Sequence, residues 1–125
     1  MINRVDFEGR VSFDPTIKTG TSQKGNDWIM TSFSLENNDG DRKKNYIKVT
    51  TFSIPREKVI EKDMLITITG GQLVRNSYKD KQGHWKSEHC IDANNARIEC
   101  KENGIVYQEA VVKVEHTEDG TYIPF

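Results

Sequence analysis

The sequence has little cysteine, little proline and no long apolar run. Its two cysteines, Cys90 and Cys100, are too few for a disulfide framework and do not form a CxxC pair, so we expect both thiols to be reduced. No apolar stretch approaches the roughly 20 residues that a membrane-spanning helix needs. The first residues also lack the apolar segment of a secretory signal. We therefore expect no membrane association and a protein that stays in the cytosol.

The charged residues are unevenly distributed along the 125-residue chain. The net charge is −1, but residues 1–101 hold 17 Lys and Arg against 14 Asp and Glu, whereas residues 102–125 hold one against five. A mildly basic body followed by an acidic segment favours an anionic partner for the body. A chain of this length forms one domain with a modest core.

Short alternating segments separated by turn residues predict an almost entirely β structure. A polar loop is expected over residues 19–27, and turn chemistry follows at residues 37–41. Pro55 suits the first position of a helix, which predicts one short helix over residues 56–62. The predicted strands cover residues 2–12, 28–36, 45–52 and 64–69, and a fifth runs from residue 85 to residue 96.

The most informative segment is residues 72–86, which we predict to be a β-hairpin around the turn residues 80–83. Its arms carry Tyr78 and Trp85 but few aliphatic residues, so it cannot serve to fill a core. Flat aromatic rings among cations suit unpaired bases and their phosphates. The alternative is a solvated hairpin whose aromatics pack across the strands. The interleaved cations are Arg75, Lys79, Lys81 and Lys86.

The predicted third strand also carries aromatic and basic side chains on one face. Alternation directs Ile47 and Val49 towards the core. The opposite face carries an aromatic, a cation, a hydroxyl and another aromatic: Tyr46, Lys48, Thr50 and Phe52. This row is a candidate base-stacking face, and the alternative is that Phe52 packs under the predicted helix.

Five strands, a short helix between the third and fourth, and a hairpin protruding between the fourth and fifth together predict an OB-fold barrel. We expect it to occupy residues 1–100, with an acidic segment over residues 101–125. The fold alone does not decide the ligand.

Three motifs in this order resemble bacterial and phage single-stranded DNA-binding proteins. The first five residues with Gly9-Arg10-Val11 resemble the start of that family. Residues 46–52 resemble its third strand, which carries two base-stacking aromatics at this spacing. Residues 71–83 resemble its hairpin, whose aromatic is a further stacking platform. The match runs over the first 99 residues.

The resemblance implies sequence-independent binding and protection of single-stranded DNA in replication, recombination and repair, without catalysis, cofactor or metal. It further implies a homo-oligomer, with a tetramer favoured, formed through residues 2–12. The resemblance implies a protein of the cytoplasm of a bacterial or phage-infected bacterial cell. The compact tail favours a phage or mobile-element protein.

Trp28 either substitutes for a stacking aromatic that the family places near the loop after the second strand or caps the barrel. The implied stacking residues are Tyr46, Phe52, Tyr78, Trp85 and Trp28, and the implied phosphate contacts are Lys43, Lys44, Lys48, Arg75, Lys79, Lys81 and Lys86.

The chain ends in Ile123, Pro124 and Phe125, which resembles the family's acidic tip that recruits replication and repair proteins. A terminal Phe offers an apolar anchor beside the α-carboxylate, which suits a basic-rimmed pocket on a partner. Unlike the family's tip, this one follows no long linker, and Gly120-Thr121 separates it from the acids. The alternative is a tail that folds back on its own domain.

Two other classes of function are weighed against this one. His84 and His89 lie on one arm at a spacing that places them on opposite faces, so they cannot share a metal. No nucleophile–base arrangement or Gly-rich phosphate loop is present, and we therefore expect no enzyme activity. The remaining alternative is an OB-fold module that binds RNA or acts as a protein adaptor in a replication complex.

Overall fold

The computed structural model describes residues 1–38, 44–111, 114–116 and 122–124. These residues form ten strands and no helix, so none of them belongs to a helix that could span a membrane. The strands are β1 (Val5–Val11), β2 (Thr16–Thr21), β3 (Asp27–Asn38), β4 (Lys44–Thr51), β5 (Leu65–Lys79), β6 (Trp85–Asp92), β7 (Arg97–Cys100), β8 (Ile105–Gln108), β9 (Val114–His116) and β10 (Tyr122–Pro124).

Five strands close into a ring, and this confirms the predicted OB-fold barrel. β1 pairs with β3, β3 with β4, β4 with β6, β6 with β5, and β5 again with β1. All of these pairs are antiparallel except β4 with β6, which is parallel. Closure gives every strand of the ring a neighbour on each side, although among the described residues β1 and β3 pair only at Arg10 and Val11. The interior side chains with no exposed surface include Val11, Leu35, Val49, Ile66, Ile68, Ile91 and Ile98.

β5 is a single long strand that serves two purposes. Its first half pairs with β1 and β7 and carries Ile66 and Ile68 into the core. Its second half, from Gln72 to Lys79, is exposed throughout and pairs with β6 to form the predicted protruding hairpin. Gly70 lies at the change of partner with φ at 80°, a conformation that residues with a Cβ rarely adopt.

β1 is held tightly against its neighbour at Gly9. A Cβ added there would lie 2.6 Å from the backbone oxygen of Glu36 on β3, which is closer than real Cβ atoms approach. Only glycine therefore allows this approach of the two strands.

The predicted loop over residues 19–27 is wrong in its first part, because Thr16–Thr21 forms β2 and pairs with the first half of β3. Neither face of β2 is buried, so hydrophobic alternation gave no signal. The strand is instead favoured by its β-branched residues, among them Ile17, Thr19 and Thr21. In the turn between β2 and β3, the Gly25 N–H donates to the Ser22 carbonyl at 2.9 Å.

The predicted helix over residues 56–62 does not form. The segment makes a turn in which the Lys58 N–H donates to the Pro55 carbonyl at 3.1 Å. Ile54 and Ile60, each 3% exposed, anchor the two ends of the segment in the core. Nucleating a helix of so few residues is costly, and two core anchors hold an irregular connection equally well.

Strands β7 and β8 extend the sheet beyond the barrel, from the first half of β5. Gln108 at the end of β8 is buried and holds the β6–β7 turn in place. Its side-chain N–H groups donate to the carbonyls of Ala93 and Ala96, the latter at 2.7 Å. Its side-chain oxygen accepts from the Thr51 hydroxyl at 2.6 Å, which ties β8 to β4 as well.

Replacing Gln108 with Ala should destabilise the protein strongly. The substitution removes three hydrogen bonds: the Ala96 carbonyl loses this partner, the Ala93 carbonyl keeps only the Ala96 N–H, and the Thr51 hydroxyl loses its acceptor. One buried polar group left unpaired costs about 1–3 kcal/mol. Thermal or urea unfolding measures the loss. The control is Gln82→Ala in the exposed hairpin turn, which should leave the free energy of unfolding nearly unchanged. Equal stability of the two variants would contradict the role given to Gln108.

Candidate nucleic-acid interface

One side of the barrel gathers six of the twelve sequence-predicted DNA-binding residues, with Lys44 at its edge. Tyr46, Lys48 and Thr50 of β4 lie directly opposite Glu36, Ser34 and Ser32 of β3. Lys48 and Thr50 also lie beside Cys90 and Asp92 of β6. Side chains of directly paired residues project to the same side of a sheet. We call this side the front face, and it comprises Lys18, Trp28, Met30, Ser32, Ser34, Glu36, Tyr46, Lys48, Thr50, Phe52, Gln72, Val74, Asn76, Tyr78, Lys86, Glu88, Cys90 and Asp92.

Two aromatic rings of the front face meet where β3 begins and β4 ends. Trp28 and Phe52 have ring centroids 6.1 Å apart and planes at 73°, an edge-to-face contact. Both remain partly open to solvent, with Trp28 38% exposed and Phe52 48% exposed. The backbone N–H of Phe52 donates to the Asn94 side-chain oxygen at 2.8 Å, which fixes the end of β4. Phe52 therefore packs against Trp28 and not under a helix.

Two further aromatic rings of the front face lie away from this pair. Tyr46 is 57% exposed near the start of β4, and Tyr78 is 42% exposed on the hairpin. Because Tyr78 is paired with Lys86, it points to the same side as Val74 and Cys90. The front face thus offers four partly exposed rings that run from β4 to the hairpin.

The front-face lysines differ in how far they are already neutralised. Lys44, at the edge of this face, lies 3.5 Å from the Glu36 carboxylate, and Lys86 lies 3.8 Å from Asp80. Lys48 is exposed and makes no ion pair with any residue in the described part of the chain. Lys48 is therefore available to a mobile anion, whereas Lys44 and Lys86 must first exchange a partner. Lys43 lies outside the described residues.

A cleft that was not predicted from the sequence lies at the β2 end of the front face. It has a volume of about 310 Å³ and is lined by Phe13, Lys18, Met30 and Lys48, among others. Phe13 is 70% exposed, and Lys18 lies beside Met30 through the pairing of β2 with β3. Lys48 was among the predicted contacts, but Phe13 and Lys18 were not, because no strand was predicted over Thr16–Thr21 and Lys18 was therefore not placed beside Met30. The β-branched residues alternating around Lys18 were the signal that could have located them.

A second cleft, of about 260 Å³, lies between Phe52 and the hairpin. Val74, Asn76 and Cys90 line it, so the front face is continuous from the barrel onto the hairpin. Cys90 is 5% exposed, and burial together with the nearby Glu88 raises the pKa of its thiol. The thiol is therefore protonated at neutral pH and contributes apolar surface rather than a nucleophile.

The hairpin has a second side that faces away from the front face. Lys79 is paired with Trp85, one position along from the pair of Tyr78 with Lys86, so Trp85 and Tyr78 project to opposite sides. Arg75 is paired with His89 and shares the side of Trp85. Lys81 lies in the turn, where Asp80 accepts backbone hydrogen bonds from Gln82 and His84 at 2.9 Å each. The predicted hairpin residues are thus divided between two surfaces.

The predicted partner-binding tip lies apart from this interface in the chain. The backbones of Ile123 and Pro124 belong to β10, which pairs antiparallel with β9, with Ile123 opposite Glu115 and Pro124 opposite Val114. Phe125 lies outside the described residues. Among the residues that are described, no three His, Cys, Asp or Glu side chains converge on a position that could hold a metal ion.

Comparison with known proteins supports the fold. No protein-family model matches the sequence, and no curated protein does. Among solved structures, the chain is similar to the SSB of Plasmodium falciparum in complex with ssDNA, with a TM-score of 0.54 and 17% sequence identity. The alignment covers 75% of this chain and 88% of that one. At this identity the likeness shows a shared fold.

Replacing Phe52 with Ala should expose Trp28. The loss of an edge-to-face contact between aromatic rings costs about 0.5–1.5 kcal/mol beyond the loss of buried area. In a Trp85→Phe background, Trp28 is the sole tryptophan, and its emission should shift to longer wavelength. Tyr46→Ala is the control, because Tyr46 makes no ring contact with Trp28 among the described residues. An unchanged emission maximum in the Phe52 variant would contradict the packing described above.

Proposed function

We propose that this protein binds single-stranded DNA without sequence preference, over the front face of its barrel. The observation that carries the proposal is a continuous surface with four partly exposed aromatic rings, Trp28, Tyr46, Phe52 and Tyr78, interspersed with lysines. Its fold is also that of an SSB solved with ssDNA. Aromatic platforms beside a cationic track are the physical requirements for holding unpaired bases and their phosphates.

Stacking contributes affinity without requiring a particular base sequence. Every base has a π-face, and each stack on an aromatic side chain contributes about 1–3 kcal/mol. Phe52 is the strongest candidate platform, because its contact with Trp28 and the hydrogen bond to its backbone hold the ring before DNA arrives. A ring that is already ordered loses less conformational entropy on binding. Duplex DNA binds poorly in this mechanism because its bases are stacked on one another.

The phosphates are neutralised mainly by lysines that form no ion pair within the described part of the chain. Lys48, in the middle of β4, and Lys18, in the cleft beside it, have no ion pair among the described residues. Lys44 and Lys86 contribute less binding energy. A phosphate that binds Lys44 must displace Glu36, and one that binds Lys86 must displace Asp80, so only the difference between the two attractions is gained. Glu36, Glu88 and Asp92 also limit the total charge of the front face.

The biological role that follows is protection of single-stranded DNA during replication, recombination and repair, in a bacterial or phage-infected cell. We include in the proposal recruitment of partner proteins through Ile123, Pro124 and Phe125. We also include a homo-oligomer, a tetramer by preference, formed through residues 2–12. In support of the homo-oligomer, β1 pairs with β3 at Arg10 and Val11, and among the described residues its part from Val5 to Phe7 has no strand partner on that side.

Replacing Phe52 with Ala should weaken binding to oligo-dT by about 1–3 kcal/mol, the value of one stacked base. Fluorescence anisotropy of a labelled oligomer measures the change. Ile105→Ala on β8 is the control, since Ile105 is exposed but lies outside the front face. Equal affinity of a folded Phe52 variant and the wild type would overturn the proposal.

Two lysine variants test the electrostatic part. For single-stranded DNA, the logarithm of the binding constant falls against the logarithm of salt concentration with a slope of about −0.7 per phosphate contacted. Lys48→Ala should therefore reduce the steepness by about 0.7. Lys44→Ala should reduce it by less, because Glu36 already neutralises Lys44. A larger change for Lys44 than for Lys48 would contradict the assignment.

A further inference from the structure

Gly20 of β2 lies beneath the Trp28 ring. The two residues are directly opposite each other in the pairing of β2 with β3, so Gly20 belongs to the same side of the sheet as the front face. Gly20 is the only residue of β2 that is partly buried. A Cβ built on Gly20 would overlap the six-membered ring of Trp28, with Cζ2 closest and Cε2 at 2.7 Å. The ring therefore occupies the space that a side chain at position 20 would need.

We propose that Gly20 is a positioning residue for base stacking, because the absence of a side chain there lets Trp28 lie across β2 and hold its contact with Phe52. This inference rests on the proposed function and adds to it a residue that acts through Trp28 rather than by touching DNA. It also gives β2, whose side chains are exposed, a role in the front face, since the strand supports one of the two rings that meet there.

The backbone conformation by itself does not require glycine at position 20. Gly20 has no positive φ, unlike Gly25 in the turn that follows. Glycine is less favourable than alanine in a strand, because it loses more backbone freedom on folding. Alanine would therefore suit the strand better, and the overlap with Trp28 is the feature of the structure that excludes a side chain.

The backbone beneath the ring is held by hydrogen bonds. The pairing of β2 with β3 continues past Gly20 to its last pair, Thr21 with Asp27. The Thr21 hydroxyl donates to the Asp27 carboxylate at 2.9 Å, and the turn beyond is closed by backbone hydrogen bonds of 2.8 and 2.9 Å. A side chain added at position 20 would therefore displace the Trp28 ring rather than the strand.

Phe52 confines the Trp28 ring from the other direction. β3 lies between β2 and β4, so Trp28 has Gly20 on one neighbouring strand and Phe52, the residue after β4, on the other. The contact with Phe52 is edge to face, with ring centroids 6.1 Å apart. A ring displaced from Gly20 is pushed into Phe52 or turned out into solvent, and both movements disrupt this contact. The two rings would then have to be ordered when DNA binds, which costs conformational entropy.

Gly20→Ala tests this role in a Trp85→Phe parent, where Trp28 is the sole tryptophan. We expect the substitution to shift the Trp28 emission and to weaken oligo-dT binding by about five-fold or more, a loss comparable to one stacked base. The salt dependence of binding should stay that of the parent, because no cation is removed. Thr19→Ala is the matched control, since Thr19 is exposed on the opposite side of β2 and its loss should change neither emission nor affinity.

A double-substitution cycle shows whether Gly20 acts through Trp28. In a Trp28→Ala protein no ring lies over position 20, so adding Gly20→Ala should leave the affinity for oligo-dT unchanged. The comparison is made at a salt concentration low enough for the Trp28→Ala protein to bind. The same loss in both backgrounds would show that Gly20 acts independently of Trp28 and would overturn the inference.

The remaining outcomes separate this inference from the proposed function. A folded Gly20→Ala protein with the affinity of its parent would reject the role of Gly20 and leave the front face standing. If Gly20→Ala does not fold, the double variant with Trp28→Ala takes its place: a double variant that folds supports the overlap with the ring, and one that does not fold overturns it. Failure of the parent protein to bind oligo-dT at all would overturn the proposed function itself.

Discussion

The pairing of β1 with β5 closes the sheet, and the rest of the structure depends on it. Without that contact, β1, β3, β4, β6 and β5 would form an open sheet with two exposed edges. With it, the inward side chains of all five strands share one small interior, where Leu35, Val49 and Ile91 are completely buried. Two glycines shape the ring: Gly9 allows the close approach of β1 to β3, and Gly70 turns the backbone where β5 changes partner.

Closure of the barrel also determines which side chains stay outside the core and are available for function. Because alternate residues must enter the core, the remaining residues of β3, β4 and β6 all face outwards on one side. Trp28, Tyr46 and Phe52 are therefore not needed to fill the interior and can keep part of their surface exposed. The hairpin extends β5 and β6 beyond the region where core residues are required, which is why aromatics and cations occupy both of its sides.

Strong alternation of apolar and polar residues along the strands made much of this arrangement predictable from the sequence. Residues 45–52 alternate between core and surface as expected, and the hairpin forms around the predicted turn. β2 could not be found in this way because neither of its sides is buried, and the cleft with Phe13 and Lys18 was missed along with it. The helix over 56–62 failed because Pro55 marks only a possible start, whereas Ile54 and Ile60 fix the segment through the core. The division of Tyr78 and Trp85 between two sides depends on the register across the turn, which composition alone does not reveal.

Binding of unpaired bases by the front face is the central claim, and a fluorescence titration tests it most directly. Oligo-dT and a duplex of equal length are added to the wild-type protein at two salt concentrations, and tryptophan emission is followed. The account predicts strong quenching by the single strand that weakens as salt is raised, and little response to the duplex. Equal binding of both nucleic acids, or binding of neither, would contradict it.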